Sequence, residues 1–169
     1  ALPFIGQDLG YTNTQLGILG SSLYMTYGIG KFINGIIADR SNVRTFLPTA
    51  MIISAFANLC FAYSAVFVTP GHVSFFGLPS ATILLWILTF FWGANGWFQS
   101  MIFPPIAKAL SYWLSKSERA TKWSIWSTSH QLGVFTTVML SGILIGHFGW
   151  KTAFGIDAIV VTINDLKIL

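Results

Sequence analysis

The stretch Tyr24-Met-Thr-Tyr27-Gly-Ile-Gly-Lys31-Phe-Ile-Asn-Gly35-Ile-Ile-Ala-Asp39-Arg40-Ser-Asn-Val-Arg44 begins as an apolar, glycine-studded helix and ends as a short charged turn. Lys31 sits inside the apolar part. An ionisable group at membrane depth is expensive, so it marks a functional site by default. The charged end, residues 39–44, belongs at the membrane surface.

Working outward, composition supports that reading. The chain has 169 residues, of which 54% are hydrophobic and only 8% charged. Soluble domains carry about 25% charged residues, so the fold class is an all-α membrane protein whose first partner is the lipid bilayer. The net charge is +4, but the basic residues form no single patch, which argues against nucleic acid. The lone cysteine, Cys60, excludes an intrachain disulfide, and its apolar run makes it a buried small hydrophobe. The chain opens Ala1-Leu2-Pro3-Phe4-Ile5, which reads as the tail of an earlier helix, and it ends as abruptly. An incomplete protein is expected.

Apolar runs define spans at about 14–38, 46–68, 81–106 and 123–145, with a short or truncated span from 152. Each of the first four can cross roughly 30 Å of hydrocarbon at 1.5 Å per residue. Residues 69–80 contain Pro70-Gly71 and Pro79 and read as a loop. Pro104-Pro105 predicts a kink or break near the end of the third span. Residues 108–122 read as an amphipathic interfacial segment. Arg40, Arg44, Lys108, Lys116, Arg119 and Lys122 fall on one side of this topology, and only Lys151 lies in the opposite loops. The first group is therefore expected in the cytoplasm, with Asp8, His72 and His147 outside.

Three polar side chains share a depth. By helical rise, Lys31 lies about 12 Å inside the cytoplasmic surface, Gln99 about 13 Å and His130 about 11 Å. Transporters bind substrate near this level. Tyr24, Tyr27, Lys31 and Asn34 share one helical stripe, Asn95, Gln99 and Phe103 a second, and Trp123, Ser127, His130, Gln131 and Val134 a third. A lysine among tyrosines, with imidazole and amides nearby, suits an anion rich in acceptor oxygens, and a phosphate ester fits. The bland alternatives are a packed histidine for His130 and helix-linking amides for Gln99 and Asn95. Asn58 reads as such a link, and the glycines as close-packing positions. Asp39 is disfavoured by the dipole at the C-terminal end of its helix, so a partner such as Arg119, or a helix N-terminus in another half of the protein, is expected. No spacing points to a metal site or a cofactor, and no nucleophile has a base to activate it, so no catalytic residue is assigned.

The run Gly35-Ile36-Ile37-Ala38-Asp39-Arg40-Ser41-Asn42-Val43-Arg44 resembles the loop between helices 2 and 3 of the major facilitator superfamily. The general pattern is Gly-x-x-x-Asp-Arg-x-Gly-Arg-Arg, from which Asn42 and Val43 depart. The form Asp-Arg-Ser-Asn-x-Arg is similar to that of the organophosphate:phosphate antiporter family. So are Tyr27 to Phe32, Gly96-Trp97-Phe98-Gln99 with Pro104-Pro105, Ser117-Glu118-Arg119, Trp126 to His130, and Gly149-Trp150-Lys151. The bacterial hexose-phosphate sensor and transporter members look nearest, then the glycerol-3-phosphate antiporters.

The resemblance implies helices 2 to 6 of the amino-terminal six-helix half of a twelve-helix fold. The first helix and the carboxy-terminal half would be missing, and with them the family's two phosphate-clamping arginines. It implies that Lys31, Gln99, His130 and Tyr27 line a central phosphate-ester cavity, and that Gly35, Asp39, Arg40 and Arg44 form a conformational-switch loop. Phe103 stands where some members have tryptophan, which leaves substrate preference open. The function implied is exchange of a phosphorylated sugar or glycerol phosphate for inorganic phosphate, by alternating access, in the bacterial inner membrane. The rivals are a receptor of the same fold sensing external hexose phosphate, and an inactive truncated product. A membrane enzyme acting on phosphate esters lacks its paired carboxylates.

Overall fold

A computed structural model describes residues 2–67 and 79–156, and these are all-α. The helices are α1 (Leu2–Leu9), α2 (Asn13–Arg40), α3 (Val43–Phe67), α4 (Ser80–Ser100), α5 (Phe103–Trp113) and α6 (Lys116–Phe148). A further helical segment begins at Trp150 and is described to Ile156. The rest of the expected last span, and the 69–80 loop up to residue 78, lie outside the described residues.

Local chemistry sets the boundaries. Gly10 turns the chain at φ 69°, and Thr12 then opens α2 with a capping box: its hydroxyl accepts from the Gln15 N–H, and the Gln15 side chain accepts from the Thr12 N–H. At the far end the Ser41 hydroxyl donates to the Ile37 carbonyl at 2.7 Å. Asn42 then starts α3, its side-chain oxygen accepting from the Arg44 N–H at 3.0 Å. An asparagine cap leaves room for only a tight charged turn between two long helices. Gly149, at φ 78°, ends α6 with its N–H on the Ile145 carbonyl.

The third predicted span is two helices. α4 tightens at its end, where the Met101 and Ile102 N–H groups donate to the Phe98 and Gln99 carbonyls. Pro104 and Pro105 then open α5, since proline has no N–H to bond back into the preceding turn and fits a first turn well. The 108–122 segment is also divided. Residues 108–113 finish α5, whereas residues 116–122 are the first turns of the unbroken α6. Both charged ends are thus continuous with spanning helices.

Three stretches are long and apolar enough to cross a membrane: Val43–Ser64, Ser80–Trp113 (which takes in α4 and α5) and Lys116–Phe148. α2, which contains the expected 14–38 span, reaches about 42 Å at 1.5 Å per residue. It is diluted by serine, threonine, asparagine and glycine, and those residues hold it against α4. The Thr26 hydroxyl donates to the Gly93 carbonyl at 2.7 Å. The Asn34 side chain donates to the Ser100 hydroxyl at 2.7 Å and the Trp97 carbonyl at 3.3 Å. In lipid, where tails are as apolar as leucine, close approach and hydrogen bonds supply helix association.

Contacts between ends sort the loops into two groups. The Lys108 ammonium donates to the Asp39 carbonyl at 2.8 Å, joining the end of α2 to α5. At the opposite end the Tyr11 hydroxyl donates to the Ala81 carbonyl, and the Trp150 indole donates to Asp8 at 3.0 Å. Burial pushes the Tyr11 hydroxyl up to about 12, so it remains a donor. This is the grouping that the charge count gives. The apolar core, with Ile5, Leu19, Phe61, Leu88, Ile145 and Trp150, lies toward the second end.

The α2–α4 approach gives a test. A Cβ on Gly96 would lie 2.5 Å from the Leu23 carbonyl oxygen and 3.1 Å from its Cα, atoms that cannot rotate away. Gly96→Ala is expected to destabilise the protein by about 1–3 kcal/mol, the usual range for overpacking. Gly17→Ala, where nothing lies within 4 Å, is the control. Thermal unfolding in detergent should show a lowered midpoint for the first substitution alone.

Candidate functional site

α2, α3, the α4–α5 break and α6 enclose a cavity of about 760 Å³ in the half of the bundle away from the apolar core. Lys31, Gln99, His130 and Tyr27 all line it. The helix break matters here. It bends the chain between Gln99 and Phe103, and both side chains still face the same space.

Lys31 lies over two rings. Its ammonium is 4.6 Å from the centroid of Tyr27, one turn back on α2, and 4.6 Å from that of Phe103 on α5. Aromatic faces attract a cation through their quadrupole, by about 0.5–2 kcal/mol. From Phe103 the ring contacts run on to Trp126 at 5.6 Å, and His130 stacks on Trp126 at 6.2 Å with planes 16° apart. Trp123 packs beside Trp126 at 5.3 Å. Lys31 and His130 thus stand at the two ends of an aromatic chain. Among the described residues no aspartate or glutamate lines the cavity and Lys31 has no ion pair. The chemistry of such a lining suits an anion.

An amide network closes the α3–α4 side. The Asn95 side-chain oxygen accepts from the Ser54 hydroxyl and from the Gln99 amide, and its nitrogen donates to the Asn58 oxygen at 2.6 Å. Asn95 itself is buried, whereas Ser54, Asn58 and Gln99 reach the cavity. Asn58 therefore links helices and lines the site at once. The signal for it was present: Met51, Ser54, Ala55 and Asn58 follow helical spacing on α3, and all four line the cavity.

Other expectations need correction. The first stripe splits. Tyr24 is 76% exposed and outside the cavity, and Asn34 is buried against α4, so only Tyr27 and Lys31 face the site. Val134 is exposed and does not line it. Cys60 is half-buried rather than fully buried. Asp39 pairs with Lys108, at 3.8 Å, and not with Arg119. Arg119 instead donates to the Ser111 carbonyl at 2.7 Å, closing the α5–α6 turn. In the charged turn Arg40 and Arg44 are exposed, and a Cβ on Gly35 would meet nothing within 4 Å. Asp39 is the member of that set with an ion pair among the described residues.

The family model for the Major Facilitator Superfamily matches residues 1–168. A probable hexose phosphate transport protein of Chlamydia muridarum is 45% identical over 163 residues, covering 96% of this chain and 32% of that protein. The glycerol-3-phosphate transporter of Bacillus subtilis is 35% identical, covering 100% of this chain and 35% of that protein. The membrane sensor protein UhpC of Escherichia coli is 32% identical, covering 96% and 34% respectively. The chain thus spans about a third of the length of these relatives. No solved structure gave a significant match.

The Lys108–Asp39 contact has two separable parts. Lys108→Ala removes both the bond to the α2 carbonyl and the ion pair, while Asp39→Asn removes the ion pair alone. The Asp39 carboxylate is largely exposed, and exposed pairs contribute little. Lys108→Ala is therefore expected to lower the thermal midpoint in detergent more than Asp39→Asn does. The reverse order would show that the carboxylate is the main tether.

Proposed function

The chain belongs to the major facilitator superfamily, and we propose that its cavity is the substrate site of a transporter for phosphate esters, either a phosphorylated sugar or glycerol phosphate. The observation that carries this is the ammonium of Lys31, set against Tyr27 and Phe103 in a cavity to which no carboxylate contributes among the described residues. A compact charge with three donors suits a phosphate group. His130 adds a donor from α6, Gln99 brings an amide from α4 for the rest of the ester, and Tyr27 adds a hydroxyl one turn from the lysine. The relatives' names point to the same chemistry.

Exchange for inorganic phosphate follows from the same recognition. The group that Lys31 would hold is common to the ester and to free phosphate, so either can occupy the site in turn. Alternating access then needs the loaded site to open to each side. The turn bearing Gly35, Asp39, Arg40 and Arg44 is proposed as the switch, because the Asp39–Lys108 contact there ties α2 to α5, which carries Phe103. The site would lie in a multi-pass protein of the bacterial inner membrane. A sensing role is supported by the likeness to a membrane sensor, and it uses the same bound chemistry. Uptake assayed without a signalling partner separates the two.

In the full-length protein, Lys31→Ala is expected to lower sugar-phosphate affinity at least a hundredfold. Lys31→Arg should retain part of it, since the charge survives while the compact ammonium becomes a planar fork. Free sugar should fail to compete, having no charge for the lysine. Binding to purified variants, with the unphosphorylated sugar as control, measures all three. Wild-type affinity in Lys31→Ala would remove the phosphate-ester reading.

A further inference from the structure

We infer that the Asn58–Asn95–Gln99 amide chain is a hydroxyl-recognising subsite, and that the ester preferred is a polyhydroxylated sugar phosphate rather than a short-chain phosphate. The inference deepens the proposed function and rests on it. A carboxamide oxygen has two acceptor positions. In Asn95 both are used, by the Ser54 hydroxyl and by Gln99 Nε2 at 3.2 Å. Its Nδ2 is turned to Asn58 Oδ1. Asn95 is 1% exposed, so it touches no ligand. What it does is fix the rotation of two other amides.

That fixing has a chemical result. Asn58 has its oxygen engaged and its nitrogen open, while Gln99 has one amide hydrogen engaged and its oxygen open. Among the described residues no protein group takes up Asn58 Nδ2 or Gln99 Oε1. Both residues line the cavity. A free donor and a free acceptor, held either side of one buried amide, match hydroxyl groups, which both donate and accept. The dianionic phosphate of an ester fits this pair less well, because its oxygens only accept and the open Gln99 oxygen would repel them. The two open atoms face the cavity rather than the α3–α4 seam, where a bound hydroxyl can take the place of water. The faces of Phe103, Trp123 and Trp126 complete the lining, and these give apolar surface to the C–H side of a sugar ring. The cavity would thus be divided by chemistry, with phosphate toward Lys31 and hydroxyls toward α3 and α4.

The test measures binding of glucose 6-phosphate, its monodeoxy analogues, glycerol 3-phosphate and inorganic phosphate to the full-length protein. In wild type at least one monodeoxy analogue is expected to bind about tenfold more weakly than the parent, the size of one hydrogen bond lost. Glycerol 3-phosphate should also bind more weakly than the parent. In Asn58→Ala the parent should lose about tenfold and the penalty for that analogue should vanish, the signature of coupled partners. Inorganic phosphate should lose less. Gln99→Ala, across Asn95, is the second variant if the first does not fold, and is expected to erase the penalty of a different or adjacent hydroxyl. Equal affinity for the parent and every deoxy analogue in wild type overturns the inference while leaving phosphate recognition standing. So does a deoxy penalty that persists in the folded variants, or an equal loss for parent and inorganic phosphate. Wild type that binds no phosphate compound overturns the proposed function and this inference together.

Discussion

A charge in an apolar slab needs either a counter-charge or a polar compartment. Lys31 has no carboxylate to answer it among the described residues, and two aromatic faces are too weak to offset removal of an ion from water. The fold supplies the compartment. Polar side chains from α2, α3, α4 and α6 gather around the lysine, while the apolar core is displaced to the other end of the bundle. This division into a polar half and a dry half is the main feature of the architecture. It follows from where one ammonium group was placed along one helix.

Holding the compartment open requires the helices around it to be fixed. α2 and α4 meet through backbone-to-backbone approach at Gly96 and through the Thr26–Gly93 and Asn34–Ser100 hydrogen bonds. α3 meets α4 through amides. Neither seam relies on large apolar side chains, which would gain little in lipid. A consequence is that the polar residues joining these helices also shape the cavity wall. Asn95 joins two helices, and in doing so it decides which atoms of Asn58 and Gln99 the cavity sees.

Much of this was legible in the residues. The membrane class followed from composition, and the shared depth of Lys31, Gln99 and His130 followed from counting residues from charged boundaries. The grouping of loops into two ends followed from basic residues alone. What escaped was rotational. The stripe of Tyr24, Tyr27, Lys31 and Asn34 spans too wide an arc of α2, and only contacts with α4 decide that Asn34 turns inward and Tyr24 outward. The spacing of Met51, Ser54, Ala55 and Asn58 marks one face of α3, but that this face turns to the cavity is decided by the packing of α3 on α4. The α4–α5 division shows a similar limit. Proline marks the break, but the turn that precedes it, where the Met101 and Ile102 N–H groups reach back only three residues, is written in no residue type.

The basic residues at one end do more than label it. Lys108 bonds to the Asp39 carbonyl near the end of α2, and Arg119 bonds to the Ser111 carbonyl near the end of α5, so each cation sits where a helix presents its negative pole. Positive charge near a span is also what retains a loop on the cytoplasmic side as a polytopic chain is inserted. The same side chains would then act at two separate times. During biogenesis they would hold their loops back from translocation, and only later, once neighbouring helices have assembled, would they find the carbonyls they bind in the finished bundle. Neutralising them would put the threading of the chain at risk before there was any cavity to impair.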